Sequence, residues 1–314
     1  MPAAYFHIGY PKSASTFMQR HVFARSGELN FYNYDDEVGN LIAVRPGSTR
    51  VSNFTEDERR AGLIRFVDEA ERIGKTVVVS HESICLGNWM LTYDYIEESE
   101  VIYDRINGLL PNARIIVCFR PQFGWIGSWW RQHIKGHSTL SLPQFVETEL
   151  WTQRILPRLR YDEVLRDLWS RFGKERVDVI FFQDLIRSET DFITNLCKLL
   201  GIEAPLSSPK PENKGLSQGL TLAKLHANRA YVTFADRFIK DAAKRGQLDR
   251  AYDRLWKRYL YQLDPLVPHI VKKRSIPTAL RSELEMQFEE SNKYLGEMMG
   301  IDISEKGFNI SARR

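Results

Sequence analysis

Cysteine is scarce in this 314-residue chain: Cys85, Cys118 and Cys197 are the full set. They are odd in number, form no CxxC and sit in apolar surroundings. That excludes a disulfide framework and predicts buried free thiols in a reducing compartment. No apolar run approaches the roughly 18 residues of a spanning helix, and the N-terminus lacks a basic stretch followed by an apolar one. No membrane insertion is expected, and the protein should be cytoplasmic. A dominant charge is missing too, since 44 Lys and Arg stand against 40 Asp and Glu. The resulting +4 gives no argument for nucleic acid, although it suits a small phosphate-rich ligand. His133 and His137 are four apart, but no HExxH glutamate or third ligand accompanies them and Gly136 disturbs the helix, so no metal site is expected. Repeats, low-complexity tracts and a clear linker are also absent, which predicts a single domain over 1–314, with 220–314 as its helical C-terminal part.

What is present gathers first at residues 3–23, AAYFHIGYPKSASTFMQRHVF. Tyr5, Phe6 and Ile8 form a β-rich run ending at Gly9. Pro11 marks a turn, and residues 17–23 read as a helix. Strand, small-residue turn and helix N-terminus make an anion site, because the first helical N–H groups lack partners and carry partial positive charge. Lys12 adds a full charge, while Ser15 and Thr16 can cap the helix or donate to phosphate oxygens. An ordinary capped connection with a surface lysine is the competing reading. The nucleotide-triphosphate loop G-x-x-x-x-G-K-[ST] is not matched, since Lys12 lies three residues after Gly9 with no second glycine before it.

Three further segments read as buried strands of a parallel sheet: 75–84 (KTVVVSHESI), 115–119 and 177–186 (VDVIFFQDLI). The first carries Ser80, His81 and Glu82 at its carboxyl end, where open α/β sheets collect ligands. A satisfied histidine and a helix-capping glutamate would explain the same residues. Arg120 ends the next strand, before Pro121, with Ser128 eight residues on. Helices are expected at 56–72, 101–110, 125–135, 142–150, 161–172 and 192–200, and 28–57 reads as a loop-rich insertion holding Asp35 and Asp36. Trp125, Trp129 and Trp130 read as core before acceptor pocket. Strands alternating with helices argue for a three-layer α/β/α fold with a central parallel sheet and a helical C-terminal extension.

The loop resembles the 5′-phosphosulfate loop of sulfotransferases that use 3′-phosphoadenosine 5′-phosphosulfate (PAPS). Pro11, Lys12, Ser13, Ala14, Ser15, Thr16 and Phe17 fit P-K-[ST]-[GA]-[ST]-[TS]-[WFL], with Ala14 where most members have glycine. The resemblance spans about residues 4–308, closes on FEESNKYLGEMMGIDISEKGF and implies the P-loop NTPase-like sulfotransferase fold. It assigns Arg120 and Ser128 to the cofactor's 3′-phosphate, Phe182 to the aromatic position near the adenine, and Asn213, Lys214 and Gly215 loosely to the loop closing over that phosphate. The stronger R-K-G form of that loop is absent. It implies sulfuryl transfer from PAPS to a hydroxyl or amine of a small-molecule or carbohydrate acceptor, with no metal. Lys12 would stabilise the leaving phosphate. Glu82 is the first choice of general base and His81 the second, with Asp35 or Asp36 next. Acceptor identity and oligomeric state stay open. A nucleotide-dependent kinase using Asp184, or a non-catalytic adenosine-bisphosphate-binding module, are the alternatives.

Overall fold

The computed structural model describes residues 4–33, 41, 55–82, 84–86, 99–204, 216–262 and 278–310. Five parallel strands form one sheet in the order β2-β3-β1-β4-β5: β1 Ala4–Gly9, β2 Leu29–Asn33, β3 Thr76–Ser80, β4 Arg114–Phe119 and β5 Val177–Phe181. β1 is central, with Phe6 opposite Val79 on one side and Ile115 on the other. Its apolar run is continuous because both faces are covered. Tyr5, Val78, Ile116 and Cys118 pack with Phe192, Leu196 and Leu200 on one face. Helix Tyr161–Phe172 packs against β4 and β5. Each fully buried Ile, Val or Phe contributes about 1.5–3 kcal/mol relative to exposure. All three cysteines are buried free thiols.

The helices used below are α1 Ser15–Met18, which continues as a π-helical turn Gln19–Phe23; α2 Glu56–Arg72; α3 Ser99–Leu109; α4 Gln122–Lys135; α5 Tyr161–Phe172; α6 Phe182–Arg187; α7 Glu189–Leu200; α8 Gln218–Phe238; α9 Ala242–Leu255; and α10 Thr278–Met299. Two are sharply specified. α2 starts at a capping box, Thr55 with Glu58, and α7 starts at Ser188 and stops at Gly201, which takes the left-handed conformation glycine permits.

Two expectations need correction. Residues 29–33, read as part of a loop, form the edge strand β2; its half-exposed LNFYN offers no apolar run to announce it. The last strand ends at Phe181 instead of running to 186, because Phe182 opens α6. Residues 205–215, 34–40 and 42–54 lie outside the described residues, and with them Asn213, Lys214, Gly215, Asp35 and Asp36.

Contacts divide the chain into two compact units. The first holds residues 1–122, 154–210 and 287–314, and therefore the sheet. The second holds 123–153 and 211–286, and is helical among its described residues. Within it, α8 and α9 are tied by Tyr252, whose hydroxyl donates to Asn228 Oδ1 at 2.9 Å, and Asn228 donates to the carbonyls of Ile134 and Ser138.

Candidate functional site

In the first unit, the chain leaves β1 toward β2 and β3, then crosses back over β1 to β4. The carboxyl ends of β1 and β4 are therefore the switch point, the place where sheets of this kind hold ligands. The β1–β4 register slips between His7 and Gly9, and Tyr10 N–H still reaches Cys118 O at 3.3 Å. Gly9 has φ +127° and packs so tightly that a Cβ there would strike the Glu82 carbonyl oxygen and the Cys85 sulfur. Only glycine fits between the two strand ends.

The next residues wind into a tight cup. Ser13 N–H returns to Tyr10 O at 3.2 Å, and Lys12 and Ala14 both have positive φ, 62° and 68°. For non-glycine residues this conformation costs about 1–2 kcal/mol each. Met18 N–H is the first to take a helical partner, Ala14 O at 2.9 Å, which leaves the preceding N–H groups at the helix start for another acceptor. Ser13 is fully buried and, among the described residues, its Oγ has no hydrogen-bond partner. Ser15, also buried, donates to Tyr10 O at 3.2 Å, and its hydroxyl lies beside the Glu82 carboxyl. Pro11 is buried, Thr16 and Phe17 half-buried, and the Phe17 ring meets His21 and Phe192.

Three charged groups face this cup. Burial lowers the Lys12 pKa, Glu82 pulls it back up, and Arg120 pushes it down. Burial raises the Glu82 pKa, opposed by the Ser15 hydrogen bond and the Lys12 charge. Arg120 donates from Nη1 to Lys12 O at 2.5 Å, and its guanidinium lies over the Phe182 ring at 4.2 Å. The Tyr161 hydroxyl holds Arg120 O at 2.9 Å, and its ring stacks on Phe119. Lys12, Glu82, Arg120 and Phe182, 170 positions apart in sequence at the extremes, are thus gathered by four strand ends, those of β1, β3, β4 and β5.

His81 parts from Glu82. β3 stops at Ser80, His81 is buried with its N–H on His7 O at 2.9 Å, and Glu82 is half-buried beside Lys12 and Ser15. Behind them, His7 Nδ1 and Gln19 Nε2 both meet Ser80 Oγ, at 2.7 and 2.9 Å. Sequence reasoning passed over this buried polar chain, which fixes the end of β3. Asp184, the acid a kinase would need, is held by Lys306 Nζ at 2.8 and 3.0 Å.

In the second unit, Ser128 is half-buried on α4. The tryptophans of that helix are core: Trp125 stacks on Trp129 at 5.3 Å, and all three are buried. His133 lies against Trp129 and Phe145, while His137 Nε2 pairs with Asp253 at 2.7 Å.

No family model matches the chain, and no curated protein does. Solved structures do. A sulfotransferase from Alicyclobacillus acidocaldarius superposes with a TM-score of 0.54 at 14% identity, over 98% of this chain and 99% of that one. The sulfotransferase domain of the Synechococcus PCC 7002 olefin synthase gives 0.43 at 16% identity, over 80% and 94% of the two chains. Mouse sulfotransferase SULT7A1, complexed with PAP, gives 0.41 at 13% identity, over 96% and 88%. The last two scores are too low to carry argument. Across nearly its whole length, then, this chain has the sulfotransferase-like fold.

Proposed function

We propose that the protein is a sulfotransferase that moves the sulfuryl group of PAPS to an acceptor hydroxyl or amine of a small molecule or carbohydrate. The observation that carries this reading is the meeting of Lys12, Glu82 and Arg120 around the strained loop after β1. The fit to a phosphate is specific: among the described residues, a buried Ser13 hydroxyl without a partner and unpaired N–H groups at the start of α1, together with a half-buried ammonium. The residues proposed to hold the donor are Pro11 to Phe17, Arg120 and Phe182. Ser128, Asn213, Lys214 and Gly215 rest on the motif resemblance alone.

When bound, PAPS supplies the activated sulfuryl group and a phosphate leaving group. The protein's part is positioning and charge stabilisation. Lys12, with Glu82 nearby, holds a positive charge at the loop where negative charge grows on the leaving phosphate. Glu82 takes the acceptor's proton. Its burial raises its basicity above that of an exposed carboxylate, which suits a base working near neutral pH. His81, buried behind it, is assigned a positioning role.

A ligand panel tests the reading. PAPS and 3′,5′-adenosine bisphosphate should raise the melting temperature well above the shift given by ATP with Mg²⁺. A larger shift with ATP would turn the assignment toward a kinase.

A further inference from the structure

The two compact units carry charge of opposite sign. By sequence the helical unit holds 17 Lys and Arg against 10 Asp and Glu, whereas the sheet unit holds 27 against 30. Much of the excess lies on α9 and on the π-helical turn that continues it, Trp256–Leu260. Acids and bases part company on this helix. Asp249 accepts from Tyr231 of α8 and faces Arg245, and Asp253 pairs with His137. Arg250, Arg254, Lys257 and Arg258 are all exposed, and none has an acidic partner among the described residues.

Two features set this face apart from an ordinary solvated one. Arg250, Arg254 and Arg258 recur every fourth residue, and like charges at that spacing repel and weaken a helix. Leu255 and Tyr259, the positions next to Arg254 and Arg258, are 48% and 56% exposed, although the same helical run buries Trp256. The Arg258 guanidinium lies over the Tyr259 ring at 5.5 Å. Cations and apolar side chains thus run side by side, with the acids matched elsewhere. That pattern is complementary to an anionic bilayer interface, where the cations meet lipid headgroups and the apolar tips enter the boundary below them. A nucleic acid would use the cations and leave Leu255 in water.

We propose that this face of α9 and its π-helical extension docks on an anionic lipid surface and holds the protein there peripherally. The contact lies on the membrane and does not cross it; no described helix is long and apolar enough to span one. Four cations and two apolar tips give a reversible, salt-sensitive attachment, far weaker than an inserted helix. The proposal stands apart from the nucleotide reading and neither supports it nor depends on it.

Co-sedimentation of the full chain with vesicles tests it, using phosphatidylcholine alone and phosphatidylcholine mixed with phosphatidylserine. Binding should require phosphatidylserine and fall as salt is raised. Each neutralised cation should weaken it about fivefold, so Arg250→Gln, Arg254→Gln and Arg258→Gln together should cost about a hundredfold. Leu255→Ser with Tyr259→Ser should cost roughly tenfold. Removing like charges from the helix should leave the melting temperature unchanged or higher, which separates lost binding from lost folding. The proposal is overturned if phosphatidylserine adds no binding, or if the triple glutamine variant binds as the unmodified protein does. Tighter binding to single-stranded DNA than to the vesicles, unaffected by the Leu255 and Tyr259 changes, would mark a general polyanion face and overturn it too. Should the triple variant not fold, undiminished vesicle binding by the serine pair is the overturning result.

Discussion

Two regions of this molecule bury basic groups, and they treat them differently. In the α8–α9 hairpin the carboxylates are matched by neighbouring side chains. Asp253 pairs with His137, Asp249 accepts from Tyr231 and faces Arg245, and Asp236 pairs with Arg245. Buried Lys224 is the exception: among the described residues its Nζ makes no hydrogen bond, and it lies on the faces of Tyr252 and Trp256, at 4.0 and 4.8 Å, with burial lowering its pKa to about 8. Around the β1 loop the account stays open. Lys12 and Ala14 hold a left-handed backbone, Ser13 is a buried donor without an acceptor among the described residues, and Glu82 faces Lys12 under conditions that favour neither charge. At the β1 loop two left-handed residues, a buried hydroxyl and two opposite charges meet in one place, whereas in the hairpin the carboxylates are matched and the buried ammonium is covered by aromatic faces.

The largest expected effect comes from removing the proposed base. Glu82→Gln should lower transfer by 10²–10⁴-fold, the usual worth of a general base, and leave bisphosphate binding intact. The pH profile gives an independent check. Because the Glu82 pKa is raised, the acid limb of activity should lie above the ordinary glutamate value of 4.5, and because that of Lys12 is lowered, the alkaline limb should begin below 10.5. A raised folded-state pKa also means that ionising Glu82 favours unfolding as pH rises from 4.5 through the folded value. The glutamine variant should therefore melt no lower at neutral pH, which separates lost chemistry from lost structure. Should Glu82→Gln stay active while a folded His81→Ala is dead, the two roles are exchanged.

Next in size is Lys12→Ala, expected to lower turnover by about 10²–10³-fold, the effect of losing one transition-state stabiliser. Product affinity should fall less, since the backbone donors remain. Normal turnover would reduce Lys12 to a half-buried structural residue and erase the contrast with Lys224.

The smallest effect concerns strain. Ala14 has φ +68°, so glycine should relieve about 1 kcal/mol, less what glycine adds to the disorder of the unfolded chain. Ala14→Gly should raise the melting temperature by one or two degrees. A lower melting temperature would show that the cup is not strained at that residue.

How much of this was legible in the sequence follows from what makes a signal. β1, β3 and β4 announce themselves as apolar runs because both faces are buried. β2 does not, since an edge strand with two asparagines and partial exposure reads as loop. Phe181 and Phe182 look alike in sequence, yet one ends β5 and the other opens α6. Lys12, Glu82 and Arg120 were legible as candidates because they follow strand ends, where topology collects ligands. The Lys306–Asp184 pair joins residues 122 positions apart, a separation that no local pattern reports.

The central claim is that the cup after β1 and the arginine after β4 read an adenosine 3′,5′-bisphosphate. Its most direct test is the ratio of dissociation constants for AMP and for the bisphosphate, in the unmodified protein and in Arg120→Ala. The account predicts a ratio of about a hundredfold or more in the unmodified protein, from the charge-assisted contacts to the added phosphate, and a collapse toward unity in Arg120→Ala. Equal affinity for the two nucleotides in the unmodified protein would contradict it.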